Sequence, residues 1–226
     1  MNHRISSIAI LFVIILTTVF AYQRKQEGNP ALDRLYASYE IDEVLFNEKG
    51  IPKRISGMLS DGISQTDPVE IIYAFLDDNR ELFGIKNPRS EFRAYKVKEP
   101  IGDRTWYMVH LAQYINDVKV FRSVVNARIN SEKILTSVSI RYFKGEIGSA
   151  VPSLSAEDLK MTAAALYDKT VEECRIGEPE LVVYPHQDSL TLCWITTVSF
   201  QHESWRSFID AHTGSEIHRE NWTFGP

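Results

Sequence analysis

Twice along this chain a helix with a marked start is followed by four apolar strands, an order that restricts the fold to helices packed on antiparallel sheets. The first start is Asp67-Pro68-Val69-Glu70. Asp67 can cap, Pro68 has its φ preset and no N–H to leave unpaired, and Glu70 can complete a capping box. Ile72, Phe75, Leu76, Leu82 and Phe83 then recur near helical spacing, with Asp77, Asp78, Arg80 and Glu81 between them, and Gly84 can close the helix. The second start is Ser155 with Asp158 three residues on; Leu159, Thr162, Ala163 and Leu166 line one face.

The strand signals fall around these helices. Val44 to Phe46 and Arg54 to Leu59 flank the turn Asn47-Glu48-Lys49-Gly50 and predict a hairpin. Strands are expected over 92–97, 105–114, 123–129 and 134–143, then over 180–184, 190–200, 204–209 and 216–220. The fold class is therefore α+β in two units, divided near 145–152. The helix-plus-meander order recurs without a residue-level repeat, so the units share architecture and not an evident duplication.

At the N-terminus, Arg4, the apolar run Ile8 to Leu16 and Val19-Phe20-Ala21 read as a signal peptide over residues 1–21. The run is shorter than the ~18 to 20 residues of a membrane-spanning helix. The expectation is a secreted or periplasmic protein, with no membrane partner after cleavage. Residues 22–40 begin as a polar, flexible lead-in. A net charge of -5 gives no electrostatic reason to bind nucleic acid. Two cysteines, Cys174 and Cys193, could close one disulfide in an oxidising compartment; the alternative is two buried thiols, since Cys193 lies in the apolar run Leu192-Cys193-Trp194-Ile195.

Several segments together resemble a known arrangement. In the first unit these are Ile55-Ser56-Gly57-Met58-Leu59, Ala74-Phe75-Leu76 through Leu82-Phe83-Gly84-Ile85, and Gln113 with Val118-Lys119-Val120-Phe121. In the second they are Leu154 to Asp158, Leu181-Val182-Val183-Tyr184-Pro185 and Asp210-Ala211-His212-Thr213-Gly214. Their order is similar to that of a fungalysin/thermolysin propeptide (FTP) domain followed by a PepSY domain, as in the pro-regions of thermolysin-like zinc metallopeptidases. The resemblance implies two cystatin-like units, each a helix packed on an antiparallel sheet, over residues 41–146 and 150–222. It also implies a chaperone or inhibitor role. The sequence departs from the pattern at Asn116-Asp117, where Asn-Gly or Lys-Gly is usual, and at Arg122, where a glycine is common. The expectation is of pro-region-like units without the peptidase domain that follows them in that family.

Catalytic chemistry of its own is not expected. A zinc peptidase needs two histidines four apart on a helix with a Glu beside the first, and His202-Glu203-Ser204-Trp205-Arg206 has Arg where the second ligand should stand. His212 and His218 could form a metal pair across a hairpin, but the sequence nominates no third ligand, so no metal and no cofactor are expected. In Asp210 to Gly214 two residues separate the Asp from Thr-Gly, unlike an aspartic protease, so Thr213 and Gly214 supply a tight turn that Asp210 braces. The expected function is a non-catalytic partner of a thermolysin-like metallopeptidase. The alternatives are the pro-region of a split or truncated precursor and a general cell-envelope binding module. For a peptidase partner, Trp222 and Phe224 are the candidate contacts, as aromatics on a free end able to fill an apolar pocket.

Overall fold

The computed structural model describes residues 28–61, 67–101, 105–187 and 189–223. The signal segment 1–21, the first part of the lead-in and Phe224 lie outside the described residues.

Order begins earlier than the polar lead-in suggests. Asn29 accepts hydrogen bonds from the N–H groups of Ala31 and Leu32 at 3.1 and 3.3 Å, and with Pro30 in the first turn it starts helix α1, Pro30–Ser38. Leu32 and Leu35 are buried, so residues 30–38 belong to the core of the first unit and are not flexible spacer. The hairpin follows as β1, Glu40–Phe46, and β2, Pro52–Met58.

Helix α2, Pro68–Asp78, starts as expected, with Asp67 accepting from the Val69 N–H at 2.8 Å. The capping box does not form, because the Glu70 carboxylate is held by Arg89 at 2.7 Å. The helix also breaks where the apolar spacing runs on. Buried Asn79 turns its amide onto the Phe75 carbonyl at 2.8 Å, and a short α3, Arg80–Phe83, follows, closed by Gly84 at φ 72°. After a further short helix α4, Pro88–Glu91, come β3, Phe92–Lys98, β4, Trp106–Ile115, β5, Val118–Lys119, β6, Val124–Asn130, and β7, Leu135–Arg141. The sheet order is β1-β2-β7-β6-β4-β3 with β5 attached to β4, and every pair is antiparallel. Ile72, Phe75 and Leu76 of α2 pack in one cluster with Val109, Leu111, Val125 and Ile129, so the helices cover one face of this sheet.

In the second unit Ser155 caps α5, Ala156–Ala165, through the Asp158 N–H at 3.1 Å. A 3-10 turn at Val171–Glu173 leads to β8, Arg175–Ile176, β9, Glu180–His186, β10, Ser189–Phe200, β11, Glu203–Asp210, and β12, Glu216–Asn221. The order is β12-β11-β10-β8, with β9 paired to β10. Leu159 and Ala163 of α5 pack on Val198 and Ile209. The architecture is thus α+β with two antiparallel sheets. Among the described residues no helix is long and apolar enough to cross a membrane.

Gly57 shows how closely the backbones approach at the first hairpin. Its φ is 146°, and a Cβ there would lie 2.1 Å from the Glu40 carbonyl oxygen, beside a register shift between Ile41 and Glu43. Backbone cannot move aside as a side-chain end can. We therefore expect Gly57→Ala to destabilise the first unit by about 2 kcal/mol or more, read as a lowered denaturation midpoint. An unchanged midpoint would show that β1 is free to shift.

Candidate functional site

The part of the molecule with the most unusual local chemistry is the passage between the two sheets. The chain leaves β4 through Asn116 and Asp117, both left-handed at φ 49° and 67°, the backbone of a tight hairpin turn that Asn and Asp tolerate. The Val120 N–H then bonds the Gln113 carbonyl at 2.8 Å, and the Phe121 N–H bonds Val183 of β9 at 2.9 Å, with Val120 and Val183 bridged in parallel. Arg122 keeps a left-handed backbone at φ 58°, so the conformation that glycine would favour survives without it. Around this passage Val120, Ile147, Val183, Leu192 and Ala211 form a buried cluster shared by both units.

The side chain of Gln113 holds the passage from beneath. It is 1% exposed. Its Nε2 donates to the Phe143 carbonyl at 2.8 Å, and its Oε1 accepts from the Phe143 N–H at 3.1 Å. The Ser123 hydroxyl lies 2.9 Å from that Oε1 and 2.7 Å from the Arg141 carbonyl, and its single proton can serve one of them at a time. One amide thereby ties β4, the exit from β7 and the return of the passage into β6.

Phe121 delivers an aromatic ring to the face of the second sheet opposite α5. It meets Phe208 edge-on at 5.2 Å, and Tyr184 lies 4.6 Å from Phe208. Tyr184 stands near-parallel to His218 on one side and His186 on the other, at 6.3 and 6.1 Å. Burial and then the Glu220 carboxylate raise the Tyr184 pKa, so the phenol stays protonated. Arg122 pairs with Glu220 at 3.0 Å, adding an ion pair between the units. This wall of rings with a charged rim is suited to contact with a polypeptide.

Trp222 is not on a free end. Its N–H bonds the Ser204 carbonyl at 2.7 Å, Arg206 lies 3.9 Å over its ring, and the Thr223 hydroxyl accepts from the Ser204 N–H at 3.2 Å. The residue continues the edge pairing of β12 and is half-buried.

The cysteines do not pair. Cys193 is buried among Val182, Ile195 and Phe208 on the side of the second sheet opposite α5, whereas Cys174 packs with Leu159, Ala163 and Trp194 on the α5 side. Alternation along β10 sends Cys193 and Trp194 to opposite faces and keeps the sulfurs apart. Burial pushes the Cys193 thiol up to about 12, which leaves it unreactive.

His202 sits in the turn between β10 and β11. His212 Nδ1 lies 3.1 Å from the Ser153 hydroxyl, while His218 packs against Tyr184 and Phe208, so the two do not converge. No group of three or more His, Cys, Asp or Glu among the described residues is arranged to hold a metal ion. A depression of about 480 Å³ between the first hairpin and α2 holds Tyr39 and Asp78, 3.2 Å apart. Burial and the Asp78 charge raise Tyr39 to about 12, out of the range of a useful proton donor near neutral pH.

The Asp210 turn forms as expected. Its Oδ1 accepts from the His212 and Thr213 N–H groups, each at 2.8 Å, and Gly214 is left-handed at φ 74°. Burial alone would raise the Asp210 pKa, but the two N–H groups outweigh it and lower the pKa below the ordinary value. The folded state therefore gains stability from Asp210 above its unfolded pKa of about 3.9 and loses it as pH falls through the lower folded value. Asp210→Ala should cost about 1 to 3 kcal/mol at neutral pH and less under strongly acid conditions. Denaturation curves at pH 7 and at acid pH check this, and a penalty independent of pH would refute the role of the charge.

Gln113→Ala should cost about 2 to 4 kcal/mol by orphaning the Phe143 N–H and carbonyl. It should also increase hydrogen exchange at Val120 and Phe121 together, whereas exchange changed at Phe143 alone would refute the coupling.

No family model matches this sequence, and no curated protein is significantly similar to it. Among solved structures the chain is similar to the Bacillus megaterium YpeB C-terminal domain, at 15% identity and a TM-score of 0.36, over 82% of this chain and 84% of that one.

Proposed function

We propose that this chain is a secreted or periplasmic non-catalytic module that binds a thermolysin-like zinc metallopeptidase as chaperone, inhibitor or both. In this reading residues 41–146 are an FTP-like unit and residues 150–222 a PepSY-like unit, both cystatin-like. Neither nucleic acid nor membrane is a partner after signal cleavage. The observation that supports the reading best is the anchored exit of the chain beyond β12. Trp222 and Thr223 are bonded to Ser204, so whatever follows them departs from a fixed point on the sheet edge. An inhibitory tail benefits from such a mount, because less conformational entropy is lost when it enters a cleft. Phe224, next in sequence, is the side chain offered to the partner, and Trp222 acts as its mount.

The test uses thermolysin as the probe. The mature chain should inhibit peptide hydrolysis or raise the refolding yield of the denatured enzyme. Removing residues 224–226 should weaken inhibition at least tenfold while circular dichroism is unchanged. Neither inhibition nor refolding assistance by the intact chain would overturn the reading, and equal inhibition by the two forms would move the contact away from the tail.

A further inference from the structure

The helix-free face of the first sheet carries charge sorted in a way that the composition does not require. Residues 28–149 contain seventeen Lys and Arg and seventeen Asp and Glu, so this unit has no net excess of either sign. Cross-strand register nevertheless lines up Leu45, Arg54, Ser139, Asn126, His110 and Lys96 in one row across all six main strands. The next row places Arg128 opposite Met108 and Met108 opposite Lys98, and Arg141 lies farther along β7.

None of Arg54, Lys96, Lys98, Arg128 and Arg141 has a carboxylate partner among the described residues, and all but the half-buried Lys98 are exposed. Of the acids of this unit, exposed Glu43 shares the face, opposite Ser56 in the row of Arg128, and Asp117 pairs with Arg93, while Glu70 pairs with Arg89, Glu81 with Arg34 and Glu146 with Lys86.

The same face offers more than charge. Arg128 lies 5.0 Å over the Trp106 ring, and Lys119 lies 5.8 Å over Tyr95. At the centre His110 Nδ1 is 2.6 Å from Asn126 Oδ1, while its Nε2 is buried with no partner. Half-buried Ser56, Ser137 and Ser139 stand between the cations. Six strands at about 4.8 Å span roughly 24 Å, a scale that fits the ~800 Å² per side of a standard protein interface.

We propose that this face docks an acidic polypeptide surface. Carboxylates of the partner meet the five free cations, and its apolar groups meet Trp106, Met108 and Tyr95. Protein is favoured over a uniformly charged polyanion by the rest of the molecule. Residues 150–226 carry twelve acids against five bases, and that excess repels a long polyanion laid across the face. The proposal does not rest on the peptidase reading.

The experiment measures anisotropy of a labelled 12-residue peptide that alternates Glu with Leu and Ser, mixed with the mature chain at 20 and 300 mM salt. The unmodified chain should bind, at least tenfold more weakly at high salt. The variant Arg54→Glu/Lys96→Glu/Arg128→Glu should lose at least tenfold in affinity, while Arg34→Glu/Lys86→Glu/Lys144→Glu, with the same change in net charge, stays within twofold. If the face variant fails to fold, Lys96→Ser and Arg128→Ser singly should each weaken binding two- to threefold. Equal loss in both triple variants, or no binding by the unmodified chain, overturns the proposal. So does tighter binding of a DNA duplex or of phosphatidylglycerol vesicles, or self-association that the face variant abolishes. Because thermolysin is absent from this assay, its outcome is independent of the inhibition test.

Discussion

The arrangement of the two sheets depends on one buried amide. Gln113 is excluded from water and uses its donor and its acceptor on the Phe143 backbone, while its own carbonyl holds Val120. A buried polar group left without partners costs more than a satisfied one contributes, so such an amide admits few alternative packings around it. What it fixes is a passage of a few residues whose next N–H, that of Phe121, already belongs to the second sheet. Hydrophobic burial around Val120, Val183 and Ala211 supplies attraction between the units, and the amide supplies direction.

That coupling explains why several non-glycine residues hold left-handed backbones near the passage. Asn116, Asp117 and Arg122 all have positive φ, and each such residue costs free energy unless its surroundings compensate. At Arg122 the compensation is visible. Its neighbour Phe121 is packed between Tyr184 and Phe208, and its own guanidinium reaches Glu220. A glycine would relieve the backbone and lose the ion pair.

The legible parts of the fold were those in which one local signal decides the structure. Asp67-Pro68 and Ser155 mark helix starts because capping chemistry acts within four residues. Strand alternation placed most strands correctly because one face of each sheet is apolar. Long-range partners were not legible. Glu70 is in register for a capping box, but Arg89, nineteen positions on, binds it instead. Asn79 interrupts a good helical pattern because its amide prefers the Phe75 carbonyl. Helix α1 was signalled by Asn29-Pro30 and obscured by the polar residues before it. The Asp210 turn was legible, since all its bonds are local. The anchoring of Trp222 was not, because it depends on Ser204 and Arg206 across the β11–β12 pair.

The difference between the two units then acquires a physical meaning. The first is neutral overall but unevenly charged, with five cations against Glu43 in the central rows of its helix-free face; the second is strongly acidic. A partner with an acidic surface is attracted to the first unit and repelled by the second, which orients its approach before any contact forms. Because the passage through Phe121 joins the sheets by backbone hydrogen bonds and a shared core, a partner held on the first unit meets the aromatic wall and anchored end of the second at high effective concentration. Two weak surfaces on a jointed molecule would bind independently. On a molecule joined in this way they act together, and the stiffness that Gln113 confers on the junction sets how much the second contact gains from the first.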